Sequence, residues 1–165
     1  MTRFSAPARR GAPGFSLVEL LVSVAILGLL ASVALPLAEL TVRRHKEVEL
    51  RRALRDIRQG IDAYKQATAA NRVATLPGQS GYPATLMDLV AGVADVANPS
   101  GPKLYFLRRL PSDPFYAGAS TNPADSWGKR SFASPPDKPA EGADVFDVYS
   151  LSTDTGLNNV PYSEW

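Results

Sequence analysis

The sequence predicts an α+β fold in which a long N-terminal helix is followed by a small globular head with an antiparallel β-sheet. Three observations predict it: an uncharged apolar stretch from Leu20 to Ala38, a helical repeat of apolar residues after it, and a proline-rich remainder with two strand-like runs. We divide the chain into a basic leader (1–14), a membrane-spanning helical half (15–39), an amphipathic helical half (40–70) and the head (71–165).

The apolar stretch is long enough to cross a membrane. As a helix it covers about 28 Å at about 1.5 Å per residue, close to the roughly 30 Å of a bilayer's hydrocarbon core. Glu19 lies at the start of this stretch. An ionised carboxylate at a helix centre in lipid costs roughly 3 kcal/mol, so an acid beside a membrane span is a candidate functional residue.

The leader sets the expected topology and accounts for the net positive charge of the chain. It contains Arg3, Arg9 and Arg10 and no acid, which predicts a cytoplasmic N-terminus and an exported head. Removing it leaves 18 − 3 = 15 basic and 16 acidic residues, a net charge of −1. This balance argues against a nucleic-acid partner. An ordinary signal peptide cut near residues 31–34, or a plain single-span anchor, are the alternatives.

The second half of the helix is predicted to be one-sided. Its apolar positions recur in steps of three and four, at Leu50, Leu54, Ile57, Ile61, Tyr64 and Thr68. We expect one helix from about Ser16 to Ala70, with a kink at Pro36, because proline lacks the N–H that the helix needs there. The cluster of Arg43, Arg44, His45 and Lys46 is interpreted as an interfacial anchor.

The head is predicted to be compact and irregular. Pro83 is expected to open a short helix over 84–90 that turns Leu86, Leu89 and Val90 to the core, and a loop over 91–103 follows. Two runs, Lys129 to Ala133 and Val145 to Leu151, are expected to pair as an antiparallel sheet across the intervening loop, with the second strand well covered on both faces.

The residues do not favour an enzyme. The sequence has no glycine-rich phosphate loop, no GxSxG, no cysteine and a single histidine, His45. Asp113 and Asp125 could act as paired carboxylates, but each lies beside a proline, and we interpret both as turn residues.

The N-terminal segment Gly14-Phe15-Ser16-Leu17-Val18-Glu19 resembles the prepilin-type signal of the type IV pilin and pseudopilin superfamily. The resemblance implies cleavage after Gly14 by a membrane prepilin peptidase and N-methylation of Phe15. It implies that Glu19 pairs with the new ammonium of a neighbouring subunit and sets the register of a filament. A proline at the place of Pro36 is common in that superfamily.

Four head segments narrow the resemblance to the major, G-type pseudopilin of type II secretion. They are Gly81-Tyr82-Pro83, Leu110-Pro111-Ser112-Asp113-Pro114, Ser126-Trp127-Gly128 and Phe146-Asp147-Val148-Tyr149-Ser150-Leu151. The implied function is a structural subunit in the bacterial inner membrane with a periplasmic head. Its implied partners are copies of itself, the peptidase, other pseudopilins, the inner-membrane secretion platform and membrane lipid.

Alternatives remain at this point. Within the same class the chain could be a minor pseudopilin, or a type IV pilin for adhesion, motility or DNA uptake. From another class, it could be a membrane-anchored periplasmic binding domain that never polymerises.

The resemblance also raises the question of calcium, because G-type pseudopilins typically bind it in the loop after the last strand. Here the loop 152–160 offers one carboxylate, Asp154, with Asn158 and Asn159 beside it. Calcium takes about six to eight oxygen ligands, so this would be a weak site at best. The alternative is a metal-free loop closed by turns and by packing of Tyr162 and Trp165.

Overall fold

A computed structural model describes Gly14 and residues 16–165, except for the side chains of Val33 and Leu35. Its helices are α1 (Leu17–Ala69) and α2 (Asp88–Ala91), and its strands are β1 (Trp127–Arg130) and β2 (Asp147–Ser150). The head also contains two short 3₁₀ helices, Pro123–Ser126 and Tyr162–Glu164. A long N-terminal helix and a small antiparallel sheet in a globular head confirm the α+β prediction.

The chain forms two compact units, one ending at Val42 and the other comprising Arg43–Trp165. In the first unit α1 is helical through Pro36, and the kink there stays a prediction. The large apolar side chains described in this unit are exposed, from 46% at Leu40 to 74% at Leu17. The predicted boundaries between residues 39 and 40 and between residues 70 and 71 also stay predictions.

In the second unit α1 buries the apolar stripe that the sequence predicts. Leu50, Leu54, Ile57, Ile61 and Tyr64 are all buried, and Thr68 is half-buried. The stripe packs into the core of the head with residues in or just before α2, β1 and β2, namely Leu86, Leu89, Trp127, Val145 and Val148. This segment is therefore helical because one face removes apolar surface from water.

The short head helix is later and shorter than predicted. The prediction of a helix over 84–90 is wrong in its bounds, since α2 is Asp88–Ala91. Pro83 does not open it, because its carbonyl accepts a hydrogen bond from the Val145 N–H at 2.8 Å. The Asp88 carboxylate instead accepts from the Thr85 N–H at 2.8 Å, so the helix begins later. Leu86 and Leu89 are buried as predicted, and Val90 is half-buried against the core.

The two strands pair antiparallel as predicted, with Trp127 opposite Ser150 and Arg130 opposite Asp147. Their bounds differ from the prediction: β1 begins two residues earlier and ends at Arg130, because the backbone beyond it bonds to the connecting loop. There the Ser131 N–H donates to Ala140 O, and the Phe132 N–H donates to the Asp144 carboxylate at 2.9 Å. Residues 145–150 are all buried or half-buried, as predicted, but β2 is limited to Asp147–Ser150 and Leu151 is 47% exposed, so the prediction of a covered strand up to Leu151 is wrong at its end.

The predicted loop over 91–103 is closed by one isolated antiparallel bridge between Val93 and Leu104. At Gly128 of β1, a Cβ would lie 2.3 Å from the ring of Tyr149, which is its partner in the sheet. Glycine is therefore required at this position, because the ring of Tyr149 fills the space that a side chain would need.

Candidate functional site

The start of α1 is capped by Ser16. Its hydroxyl accepts a hydrogen bond from the Glu19 N–H at 3.1 Å, and its carbonyl accepts from the Leu20 N–H at 3.1 Å. Ser16 followed three residues later by Glu19 is a capping-box spacing, and the Glu19 carboxylate lies in the first turn, where the helix dipole favours negative charge. The backbone around Ser16 therefore fixes where the helix begins.

Gly14 is exposed and lies outside the helix, and a Cβ built on it would meet nothing within 4 Å. Phe15, the predicted methylation site, lies outside the described residues. Glu19 is exposed in the first turn of α1. An accessible peptide ahead of a helix can enter a peptidase, and an exposed carboxylate in the first turn can meet a cation from outside the subunit.

In the head, a buried carboxylate joins three of the segments that carried the resemblance. Asp113 is 4% exposed and accepts hydrogen bonds from the Ser150 hydroxyl at 2.5 Å and from the Phe115 N–H at 2.8 Å. Its own N–H donates to the Ser126 hydroxyl at 3.0 Å, and the Trp127 indole donates to Pro111 O at 2.8 Å. This network links Leu110–Pro114, Ser126–Gly128 and β2.

Asp113 and Asp125 have separate partners. Asp125 is exposed, and its carboxylate accepts from the Ser120 hydroxyl at 2.7 Å and from the Asn122 side-chain amide at 3.2 Å. The first acid holds the buried core of the head and the second organises a surface turn. Both carboxylates are engaged by neutral donors, which is the arrangement of structural residues.

The C-terminal loop contacts α1 through two side chains that sequence reasoning did not single out as site residues. The Glu47 carboxylate, 6% exposed, accepts from the Leu157 N–H at 2.7 Å and from the Tyr162 hydroxyl at 3.0 Å. One turn earlier, the Arg43 guanidinium donates to the Tyr162 hydroxyl at 3.3 Å and to Thr155 O. Asp154 is exposed in this loop. No group of three or more His, Asp or Glu placed to hold a metal ion occurs among the described residues.

The environment of Tyr162 shifts two ionisation equilibria. Burial raises the pKa of the Tyr162 hydroxyl, the Arg43 hydrogen bond lowers it and the Glu47 hydrogen bond raises it. The hydrogen bond to Tyr162 in turn raises the pKa of the Arg43 guanidinium. Both groups therefore keep their ordinary protonation state near neutral pH, with Tyr162 neutral and Arg43 charged.

Comparison with known proteins identifies the N-terminal motif. A family model described as the prokaryotic N-terminal methylation motif matches residues 9–35. The N-terminal segment therefore carries the prepilin-type signal found in type IV pilins and pseudopilins. This signal implies processing by a prepilin peptidase and polymerisation into pilus-like filaments. Neither the curated proteins nor the solved structures contain a match to the chain.

The matched segment includes Gly14, Phe15 and Glu19 and ends just before Pro36. One described helix, α1, is long and apolar enough near the N-terminus of the precursor to cross a membrane. A membrane-anchored prepilin is therefore consistent with both the motif and the helix. The head lies outside the match, and its description rests on the structure alone.

The sequence contains a pattern that indicates burial of Glu47. Arg43, Glu47, Leu50, Leu54 and Ile57 follow one another at steps of four and three, so Glu47 continues the apolar stripe on the same face of α1. A carboxylate in line with a buried stripe predicts a buried acid with internal partners. Which backbone groups it meets depends on the path of the C-terminal loop, and no local pattern encodes that path.

Proposed function

We propose that this prepilin is cut after Gly14, methylated on Phe15 and polymerised through its apolar helical region into the periplasmic pseudopilus of a type II secretion system. The inner membrane would hold the subunit before assembly, with its N-terminus cytoplasmic and its head periplasmic. The filament would act as a piston or screw in export. No catalytic role is assigned to the head.

The observation that carries the proposal is the exposed apolar surface of α1 up to Val42, together with Glu19 at its start. A helix whose large apolar side chains are 46–74% exposed needs lipid or other helices around it. Lipid surrounds such a helix in the membrane, and equivalent helices would surround it in a filament. The same surface therefore supports both the anchored and the polymerised state.

Glu19 supplies the specificity of the proposed assembly. Cleavage after Gly14 creates an ammonium on Phe15 close to the N-terminal end of α1, which already carries partial positive charge. Two positive groups at one helix end favour a carboxylate partner. Because Glu19 and the ammonium are each costly in an apolar environment, pairing between neighbouring subunits would fix their relative position more than it adds to net stability.

The type II assignment rests on the head. Three of the four segments that resemble the G-type pseudopilin meet around Asp113 and Trp127 by hydrogen bonds of 2.5–3.0 Å. The fourth, Gly81-Tyr82-Pro83, bonds through Pro83 O to the Val145 N–H, just before β2. The resembling segments therefore form one connected unit of the head, which supports an interpretation of them as a set.

The first test is the intact mass of the protein extracted from its native membrane. A mass equal to a chain beginning at Phe15 plus one methyl group is expected. Gly14→Val should abolish processing, because a branched side chain replaces the residue that precedes the cut. A full-length mass for the native protein would refute the proposal in favour of a simple anchored domain, and a cut near residues 31–34 would establish a signal peptide.

The second test addresses assembly. Glu19→Ala is expected to leave membrane insertion intact and to reduce filament yield strongly, measured by shearing and sedimentation after overexpression. Glu39→Ala, an exposed acid further along the same helix, is the matched control and should assemble normally. Equal filament yield from both variants would contradict the role of Glu19. Loss of the gene should abolish protein secretion, whereas loss of surface pili with normal secretion would indicate a type IV pilin.

A further inference from the structure

The loop after β2 has a single carboxylate, and several of its other oxygen atoms already accept hydrogen bonds. The carbonyls of Asp154, Gly156 and Val160 accept hydrogen bonds from Tyr162 N–H, Asn159 N–H and Gly156 N–H, respectively, at 3.1, 2.9 and 2.8 Å. The side-chain oxygen of Asn158 accepts from Val160 N–H at 3.2 Å. Calcium needs about six to eight oxygen ligands, and the exposed Asp154 carboxylate is one. The donor set therefore does not fit a calcium site.

A positively charged side chain of α1, Arg43, contacts a further carbonyl of this loop. The Arg43 guanidinium donates to Thr155 O, and through Nε it donates to the Tyr162 hydroxyl. Thr155 and Pro161 form the bridge that closes this loop. One guanidinium therefore contacts both ends of the loop, at the bridge and at the residue after it, because its planar group presents several donors in a fixed geometry.

A negative group completes the arrangement. The buried Glu47 carboxylate accepts from the Leu157 N–H at the tip of the loop and from the Tyr162 hydroxyl at its end. Tyr162 is fully buried and stacks on Phe115 with ring centroids 4.2 Å apart. Trp165 packs edge-on against Tyr162 and donates to Val160 O at 3.3 Å. The loop is thus fixed to α1 through charge-assisted hydrogen bonds and to the rest of the head through aromatic packing.

We propose that Arg43 and Glu47 close the loop 154–162 as an internal cation and anion, so that the head folds and keeps this loop ordered without a divalent metal. Arg43 bridges the ends of the loop, and Glu47 holds its tip. The inference concerns the head alone and does not depend on whether the chain polymerises.

The direct test uses the wild-type full-length chain in detergent, as a monomer, so its outcome is separate from that of the filament assay. Thermal unfolding and amide exchange are compared in about 5 mM calcium and in excess chelator. This calcium concentration is above the dissociation constants near 10⁻³ M of weak extracellular sites. We expect the same Tm and the same exchange rates at Gly156, Asn159 and Tyr162. A calcium-dependent rise in Tm of several degrees, or slower exchange in this loop, would overturn the inference.

A matched pair of variants tests the role of the guanidinium. Arg43→Gln should accelerate exchange of the loop amides by roughly 10-fold, the equivalent of about one lost charge-assisted hydrogen bond. Arg44→Gln removes the same charge from the adjacent residue, which is exposed and makes no hydrogen bond to a described side chain or carbonyl, and it should leave the loop unchanged. Equal exchange in both variants would refute the role of Arg43. Rescue of Arg43→Gln by calcium would show a metal site instead.

Discussion

The two units of this chain differ in how much of their apolar surface they bury. Up to Val42, α1 leaves its large apolar side chains exposed, and Leu17 reaches 74%. From Arg43 on, the apolar stripe of α1 is buried, with Leu50 and Ile57 at 0%. Leucine side chains are therefore left to contact their surroundings in the first unit, whereas in the second unit the chain itself buries them. The comparison indicates that the first unit depends on surroundings that cover its apolar surface, whereas the second covers its own.

The largest expected effect tests that comparison with one substitution made in each unit. Ile57→Ala should lower the free energy of unfolding of the head by about 2–5 kcal/mol, because it removes a fully buried side chain and leaves a cavity. Ile26→Ala removes the same atoms from a side chain that is 53% exposed, and it should change this quantity by less than about 0.5 kcal/mol.

Denaturant unfolding of the full-length chain in detergent measures both variants. Trp127 and Trp165 provide the fluorescence signal, and both lie in the second unit. A comparable loss of stability in the two variants would contradict the view that the head folds on its own core.

A smaller effect is expected from the buried network of the head. Asp113→Ala should destabilise it by about 3 kcal/mol, because the Ser150 hydroxyl and the Phe115 N–H lose their acceptor in a buried place. Asp125→Ala is the control, since the same deletion at an exposed turn should cost less than about 1 kcal/mol. Urea unfolding at neutral pH compares them, and similar midpoints would mean that the buried network adds little to the order of the second unit.

The smallest effect concerns pH and the ion pair between Arg72 and Asp95. The Arg72 guanidinium, 2.6 Å away, lowers the pKa of the Asp95 carboxyl, with backbone N–H donors adding to the shift. A folded pKa below the ordinary value gives stability that is present above about pH 4 and lost as pH falls through the folded value. Wild-type and Asp95→Asn stabilities should therefore differ by a constant amount at neutral pH and converge in acid.

Asp62→Asn is the control for this pH dependence, because Asp62 is exposed on α1 and forms no ion pair with a described residue. Its stability should follow that of the wild type at every pH. If Asp95→Asn also follows the wild type in acid, the pair does not contribute to the stability of the head.

The sequence predicted most of the fold because its strongest signals are periodic. The stripe from Leu50 to Tyr64 fixes the face of α1 that is buried, and the two strand runs pair as predicted. The predicted start of α2 was wrong because the actual start depends on the hydrogen bond from Val145 N–H to Pro83 O, a contact between residues far apart in the chain. Local propensity carries no information about such a partner.

The candidate site divides in the same way. Gly14, Phe15 and Glu19 were found because a short contiguous motif holds them, and their roles stay predictions. Asp113 was first weighed as one of a pair, and only the fold shows that its partners are Ser150 and Phe115. Arg43 and Glu47 were missed as a pair because their function is defined by a loop more than a hundred residues away.

The cap at Ser16 has a consequence for the timing of assembly. Both hydrogen bonds that define the helix start are made by Ser16 with Glu19 and Leu20, so they lie wholly on one side of the proposed cut. Hydrolysis between Gly14 and Phe15 therefore breaks none of them, and the helix can be complete before the peptidase acts. On the proposed function, this cut would change the electrostatic state of the helix end without refolding it. The peptidase, and not a conformational search, would then decide when a subunit can join its neighbours.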